Sequence, residues 1–273
     1  MSEAPKTPKT PSEAIAPVKV HAPSDRNRKL AAFLEAANAD TQLKARWLAQ
    51  QTTAERLGMS DHSWVHLQIV LNMALRLYRM LHKHGVQSAI ERDYAMNPSD
   101  AEVIIAGACL LHDLGMSIHR VDHEAFSLFL AADSLDRLLD GIYEEPERTI
   151  ISSEILHAII GHRSGGRPLT LESGIVRVAD ALDMEHGRSR TSLETHLANI
   201  HSLSAAAIDE VRIVEGESRP IRIEVEMNNS AGVFQVDSLL GSKLRGSGLE
   251  EHIEVVASIE AEHEKRLLRV YRI

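Results

Sequence analysis

The chain has 273 residues, of which 44% are hydrophobic and 4% aromatic, and its formal net charge is −9. The length suits one large domain or two ordinary ones, and the mainly aliphatic content favours packed helices over a β-sandwich. The negative charge argues against general binding to nucleic acid or to an anionic membrane, because both need a basic surface.

Neither a membrane span nor a secretory signal is expected. No run approaches the roughly 18 to 20 apolar residues of a transmembrane helix, and the N-terminus has no hydrophobic signal segment. The only cysteine, Cys109, lies in an apolar run, which is typical of a buried, reduced thiol in a cytosolic protein. We therefore expect a cytoplasmic protein with no membrane partner.

Residues 1–24 are rich in proline, lysine, alanine, serine and threonine, a composition that predicts a disordered tail. Two amphipathic helices are predicted between about residues 25 and 57, because apolar residues recur there at helical spacing. No internal repeat is found in the chain.

The next helix is predicted to begin at a cap provided by Ser60 or Asp61 and to end near Lys83. Two of its histidines, His62 and His66, are four residues apart and would share one face. A buried histidine with a backbone hydrogen bond is the ordinary interpretation of such a residue, and for His62 it is the one we favour.

A polar loop precedes a helix that a capping box of Ser99 and Glu102 is predicted to open. This helix ends in the adjacent residues His112 and Asp113, and Gly115 suits its C-terminal cap. Imidazole and carboxylate together accept Zn, Fe, Mn or Co, and one carboxylate can bridge two ions. Two such ligands at the end of a helix leave room for water and substrate around a metal.

Five of the 15 histidines fall within residues 112–162, and such clustering is typical of metal ligands. Pro146 suits the first turn of a helix that ends at His162, whereas His157, five residues earlier, lies on a different face. Arg163 follows, and a guanidinium group at that point is suited to contact a phosphate.

A further apolar helix, with Thr170 as its cap, carries Asp180. A carboxylate surrounded by valine, alanine and leucine is costly to bury alone, so Asp180 needs a cation, either a metal or an arginine. Arg188 and Arg190 follow and form either a basic rim for a phosphate ester or a solvated turn.

In this order, His66, the pair His112-Asp113 and Asp180 resemble the signature of the HD-domain metal-dependent phosphohydrolases. The resemblance covers about residues 60–190. It implies a helical domain that hydrolyses phosphate monoesters or diesters, often of nucleotides, by means of a metal-activated water.

The resemblance also implies a role for each motif. One divalent metal ion would be bound by His66, His112, Asp113 and Asp180. A second ion would be completed by His123 and His162, with Asp113 as the bridge. His112 and Asp113 would form the catalytic centre, and the two ions would be Mn, Fe, Co or Zn. The residues expected to contact the substrate are His119, Arg120, His157, Arg163, Arg188 and Arg190.

The pattern changes near Ser204, where alternating apolar and polar residues predict strands around Val211 and over 221–227. A helix and two more strands are predicted to follow, over 234–244, 253–259 and 267–273. Several glycines surround Lys243 and Arg245 but lack a phosphate-loop pattern, so we interpret them as caps and turns. The whole sequence resembles a group of prokaryotic HD proteins with this C-terminal α+β extension.

The predicted fold is mainly α, with a disordered tail (1–24), a helical HD domain (25–203) and a small ββαββ domain (204–273). The predicted function is a metal-dependent phosphohydrolase or phosphodiesterase that acts on a nucleotide or related small phosphate ester, not on a nucleic-acid polymer. The C-terminal domain is expected to form a homodimer or to cover the active site. Two alternatives remain: a di-iron oxygenase, and a regulatory module that senses a nucleotide or a metal without turnover.

Overall fold

The structure is a computed structural model that describes residues 9–163, 165–185 and 200–259. The first and larger part is helical, with α1 (Pro11–Ile15), α2 (Arg28–Ala39), α3 (Thr41–Arg56), α4 (Trp64–Lys83), α5 (Ala89–Tyr94), α6 (Pro98–Leu111), α7 (His123–Leu138), α8 (Glu147–Gly161), α9 (Leu171–Leu182) and α10 (Ile200–Ala205). A smaller unit follows, with the strands β1 (Ile208–Glu215), β2 (Ile221–Met227) and β3 (Ile253–Ile259). Between β2 and β3 lies a π-helix (Gln235–Gly241) that continues into the short helix α11 (Ser242–Leu244).

The predicted fold class, mainly helical with a small α+β unit at its C-terminal end, is confirmed. In the sheet, β1 pairs with β2 antiparallel and β2 pairs with β3 parallel. Buried and half-buried residues alternate along β2, as the sequence pattern predicts. The strand predicted over 267–273 lies outside the described residues. Among the helices that the structure describes, none is long and apolar enough to cross a membrane.

Helix α6 lies at the centre of the helical region, and every residue from 103 to 111 is buried. A helix that is apolar on all faces must be surrounded by other elements, and here α2, α4, α8 and α9 pack around it. The indole of Trp47 donates a hydrogen bond of 2.9 Å to the carbonyl oxygen of Leu110. The C-terminal end of α6, which carries His112 and Asp113, is therefore held in a rigid environment.

The N-terminal segment differs from the predicted disordered tail, because residues 9–24 belong to the folded structure. Val18 and Val20 are buried in the core, and the side-chain amide of Asn38 bonds both the N–H and the carbonyl oxygen of Val20 at 2.9 Å. Composition alone predicted disorder, because the segment is rich in prolines and polar residues. The contacts of its two valines with the core cannot be read from composition. Residues 1–8 lie outside the described residues.

Helix α4 begins at Trp64, later than predicted, and its cap is Ser63, whose hydroxyl accepts the N–H of Val65 at 3.1 Å. His62 therefore precedes the helix and does not share a helical face with His66. It is buried all the same, with Nδ1 2.7 Å from the carbonyl oxygen of Ser60.

Helix α6 also begins differently from the prediction. Its capping box consists of Asn97 and Asp100, with Pro98 at the first helical position, in place of Ser99 and Glu102. Proline suits this position because its missing N–H would have no partner there. The sequence offered two overlapping boxes, and the proline selects the earlier one.

Candidate metal centre

Six side chains converge in the interior of the helical region, and five helices position them. Helix α4 supplies one, the C-terminal end of α6 two, and α7, α8 and α9 one each. We refer to these residues together as the His/Asp cluster: His66, His112, Asp113, His123, His162 and Asp180. The structure thus brings together every residue that the sequence assigns to the metals.

The carboxylate of Asp113 faces two different pairs of imidazoles. Its Oδ2 lies 3.7 Å from Nε2 of His66 and 3.5 Å from Nε2 of His112. Its Oδ1 lies 3.1 Å from Nε2 of His123 and 4.0 Å from Nε2 of His162. One side chain therefore joins two groups of candidate ligands, and it stands between them.

The first group is completed by Asp180, whose Oδ1 lies 3.6 Å from Nε2 of His66 and 3.7 Å from Nε2 of His112. Two nitrogen or oxygen ligands of one tetrahedral ion lie about 3.4 Å apart, since each is about 2.1 Å from the metal. The observed separations are close to this value and too long for hydrogen bonds. The donor set of imidazoles and carboxylates suits a divalent transition metal.

Two buried nitrogens support a metal at this place. Nε2 of His66 and Nε2 of His112 are inaccessible to solvent and have no hydrogen-bond partner among the described residues. An unsatisfied buried polar atom costs about 1 to 3 kcal/mol, so it requires a reason. Ligand atoms of the first group (His66, His112 and Asp113) lie within 4.8 Å of one another, and so do those of the second (Asp113, His123 and His162). The residues present therefore fit a metal ion in each group.

The opposite nitrogen of each imidazole is occupied, which turns Nε2 towards the centre of the cluster. A hydrogen bond at Nδ1 fixes the tautomer and the orientation of a metal-binding histidine. The partners of Nδ1 are Asp183 Oδ2 at 2.5 Å for His66, the carbonyl oxygen of Cys109 at 2.9 Å for His112, that of Arg120 at 3.0 Å for His123 and that of Ile159 at 2.5 Å for His162. The role of Asp183 was not predicted, although it lies only three residues after Asp180.

Burial and the neighbouring charged groups together set the pKa values in the cluster. Burial lowers the pKa of His112 and that of His162, so both rings are neutral at neutral pH, as metal ligands must be. Burial opposes the ionisation of Asp113, but the neighbouring imidazoles, His112 foremost, hold its pKa well below the usual range. Burial also opposes the ionisation of Asp180. The attraction of its carboxylate to Lys243, and after it to His112, outweighs this effect and holds its pKa far below the usual range.

Lys243 reaches the cluster from helix α11 of the C-terminal unit. Its Nζ lies 3.5 Å from Oδ2 of Asp180 and donates a hydrogen bond to the carbonyl oxygen of His162. We interpreted the glycines around it as turns, and Gly246 and Gly248 do have positive φ values. The interpretation did not include the lysine, because no spacing in the sequence relates residue 243 to residue 180.

The predicted substrate contacts have different surroundings. Nη1 of Arg120 lies 2.9 Å from Nδ1 of His123, and Arg163, exposed beside His162, forms an ion pair of 3.0 Å with Asp122. The other two histidines accept backbone N–H groups: His119 Nδ1 from Val121 at 3.1 Å, and His157 Nε2 from Leu169 at 3.1 Å. Arg188 and Arg190 lie outside the described residues. Of these residues, the structure places Arg120 and Arg163 beside the cluster.

Comparison with known proteins adds a family to this geometry. Residues 60–185 match the model of the HD domain. The chain is 37% identical over 237 residues to "Uncharacterized protein MJ1020" of Methanocaldococcus jannaschii, and the match covers 87% of each chain. It is 26% identical over 182 residues to Ribonuclease Y of Desulforamulus reducens, which is 64% of this chain and 32% of that protein. No solved structure matches the chain.

Proposed function

The chain belongs to the HD-domain superfamily of metal-dependent phosphohydrolases, and from this premise we propose that it hydrolyses a nucleotide or a related small phosphate ester with a metal-activated water. The observation that carries the proposal is the position of Asp113, whose two oxygens face separate pairs of imidazoles. A carboxylate in this position is suited to bridge two ions.

We assign two divalent ions to the cluster, each Mn, Fe, Co or Zn. His66, His112, Asp113 and Asp180 would hold the first, and Asp113, His123 and His162 the second. When bound, such ions lower the pKa of a water molecule and neutralise negative charge on the phosphoryl oxygens. His112 and Asp113, which together face both groups, form the catalytic centre in this proposal.

The chain's own residues would prepare the site for an anion. Metal ligands must be deprotonated, and with four imidazoles in that form the ligand set has a formal charge of −2 from its two carboxylates, so two divalent cations would leave the site positive. Arg120 and Arg163 stand on the accessible side and offer guanidinium donors to phosphate oxygens. The buried histidines close the other side and exclude bulk water from it.

A second candidate is the cleavage of an RNA phosphodiester, and the likeness to Ribonuclease Y favours it. The same ligands would serve both reactions, because each is an attack of water on a phosphorus atom. The net charge of −9 opposes a long nucleic-acid interface, which needs extended basic surface. We therefore rank the small ester first.

The first experiment measures metal content per chain on protein purified without oxygen, in the wild type and in Asp113→Asn. We expect two ions per chain in the wild type and their loss in the variant, since the neutral amide of asparagine has a single oxygen and cannot bridge the two groups. Asp136→Asn is the matched control, because Asp136 is an exposed aspartate outside the cluster, and it should keep both ions.

Hydrolysis is then assayed with nucleotides, small phosphate esters and RNA oligonucleotides, with and without oxygen. Phosphate release that requires both ions and no oxygen supports the proposal, and a requirement for oxygen would favour the di-iron oxygenase. Nucleotide binding without turnover would favour the regulatory module. Protein that takes up no ion, even from solutions of Mn, Fe, Co and Zn, would refute the metal-dependent mechanism.

A further inference from the structure

A basic pocket opens beside the His/Asp cluster, between the loop that connects α8 to α9 and the C-terminal unit. Its volume is about 520 Å³, which is within the usual range for small-molecule sites. We call it the basic pocket, and its lining consists of Gly165, Gly166, Arg167, Arg177, Ser242, Lys243, Arg245 and Gly246. Among the described residues that line it, four are cationic and none is acidic, and the nearby carboxylate of Glu250 is hydrogen-bonded to the N–H of Gly246. In a chain of net charge −9, such a concentration of positive charge indicates a site for an anion.

Arg177 holds the two walls of the pocket together. It is buried in α9, and its guanidinium donates to the carbonyl oxygen of Lys243 at 2.9 Å and to that of Arg163 at 2.6 Å. Within the described part of the chain no carboxylate forms an ion pair with it, and the nearby Asp180 acts on it only through space. The pocket is therefore preorganised, because its deepest cation also fixes the loops that carry the others.

Lys243 connects the pocket to the His/Asp cluster. Its side chain lines the pocket, and its Nζ lies 3.5 Å from Oδ2 of Asp180, whose other oxygen faces His66 and His112. An anion in the pocket would thus be separated from the cluster by this one aspartate and its lysine. This proximity suits two phosphate groups of one molecule.

Arg167 and Arg245 line the pocket from two different segments, one on the α8–α9 loop and the other just after α11. Both side chains are exposed, and among the described residues neither has an ion-pair partner. The neighbouring Gly165 and Gly246 have φ values of +74° and +75°, a conformation that favours glycine. The loops thus turn beside each arginine, and both guanidinium groups are available to a ligand.

We propose that the basic pocket binds a second phosphate group of the substrate, so that the enzyme prefers a nucleoside polyphosphate to a monophosphate. The inference rests on the proposed function, since it assumes that a first phosphate lies at the His/Asp cluster. Arginine suits this task because its planar guanidinium binds two phosphate oxygens at once. A pocket of this size accommodates the phosphates of a small molecule, whereas a polymer needs a longer basic surface.

The test is equilibrium binding, by calorimetry on the full chain, of the analogue β,γ-methylene-ATP and of an AMP analogue whose 5′ ester oxygen is replaced by a methylene group, so that it cannot be hydrolysed. The wild type should bind the ATP analogue at least about tenfold more tightly, which corresponds to one charged hydrogen bond. Arg167→Gln/Arg245→Gln should lose this preference. The matched control, Arg26→Gln/Arg28→Gln, removes two exposed arginines outside the pocket and should keep it.

Equal affinity of the wild type for both nucleotides, or an unchanged preference in the Arg167→Gln/Arg245→Gln variant, would overturn the inference. So would an RNA oligonucleotide that displaces the ATP analogue more strongly than ATP does, since the site would then serve a polymer.

Repeating the titration in Asp113→Asn separates the pocket from the metals: preference that persists there belongs to the pocket. If no ester is hydrolysed but the preference exists, the proposed function fails alone. Hydrolysis without preference means that the pocket inference fails alone.

Discussion

The His/Asp cluster and the basic pocket are neighbours, yet they are built in different ways. The cluster consists of side chains on helices or at helix ends, all of them buried except the half-buried Asp180, and each histidine has a hydrogen bond at Nδ1 that orients it. The pocket consists mainly of loop residues with glycine turns, and two of its arginines are exposed. Metal ligands need accurate positions, whereas a phosphate accepts donors from a range of directions.

The two sites also differ in how they depend on the rest of the chain. All six residues of the cluster come from the helical region, whereas two of the four cations of the pocket, Lys243 and Arg245, come from the C-terminal unit. Lys243 is the residue that takes part in both. The family core would thus supply the reaction, and the extension would supply selectivity.

Among residues that contact the His/Asp cluster without belonging to it, the largest effect is expected for Asp183→Asn. Asp183 accepts from Nδ1 of His66 at 2.5 Å, and loss of such a partner lowers metal affinity by about 10- to 100-fold. Titration with Mn while metal content is followed by elemental analysis measures the change, with Asp136→Asn as the control. An unchanged affinity would show that an amide at this position orients His66 as well as the carboxylate does.

A smaller effect is expected for Lys243→Gln, which tests whether this lysine acts in metal binding at the cluster or in substrate binding at the pocket. We expect kcat/KM for a nucleoside polyphosphate to fall about tenfold, since one charged contact is removed, while metal content stays unchanged. Lys19→Gln, at an exposed lysine outside both sites, is the matched control. Loss of metal together with activity would instead make Lys243 a positioning residue for Asp180.

The sequence was most informative where regular structure and chemistry coincide. His112 and Asp113 lie at the end of an apolar helix, and Asp180 lies within another, so the resemblance and the helical pattern identify the same residues. Asp183 and Lys243 were not predicted, because an orienting or distant side chain has no signal apart from the tertiary packing that brings it to the site. The homodimer and the cytoplasmic location stay predictions, the first of which sedimentation of the full chain can measure.

Two predictions about where structure begins were wrong, and both errors have the same physical origin. The polar composition of the segment 9–24 predicted disorder, but Val18 and Val20 are both buried in the core. The start of α6 was placed too late because two capping boxes overlap, and the choice between them depends on Pro98. Local patterns predict that an element exists, whereas its neighbours determine where it begins.

The smallest effect is expected for Arg163→Gln, which tests an arginine beside the His/Asp cluster against the arginines of the basic pocket. The ion pair of Arg163 with Asp122 is exposed on both sides, so Tm should not change measurably when it is removed. We expect KM for a small phosphate ester to rise about two- to fivefold. This is less than the roughly tenfold effect of one full charged hydrogen bond, because Asp122 competes with the substrate for the guanidinium. Asp122→Asn should lower KM for the same reason, and steady-state kinetics of both variants measure this opposition. If both variants raise KM alike, the pair orders the loop and does not bind phosphate.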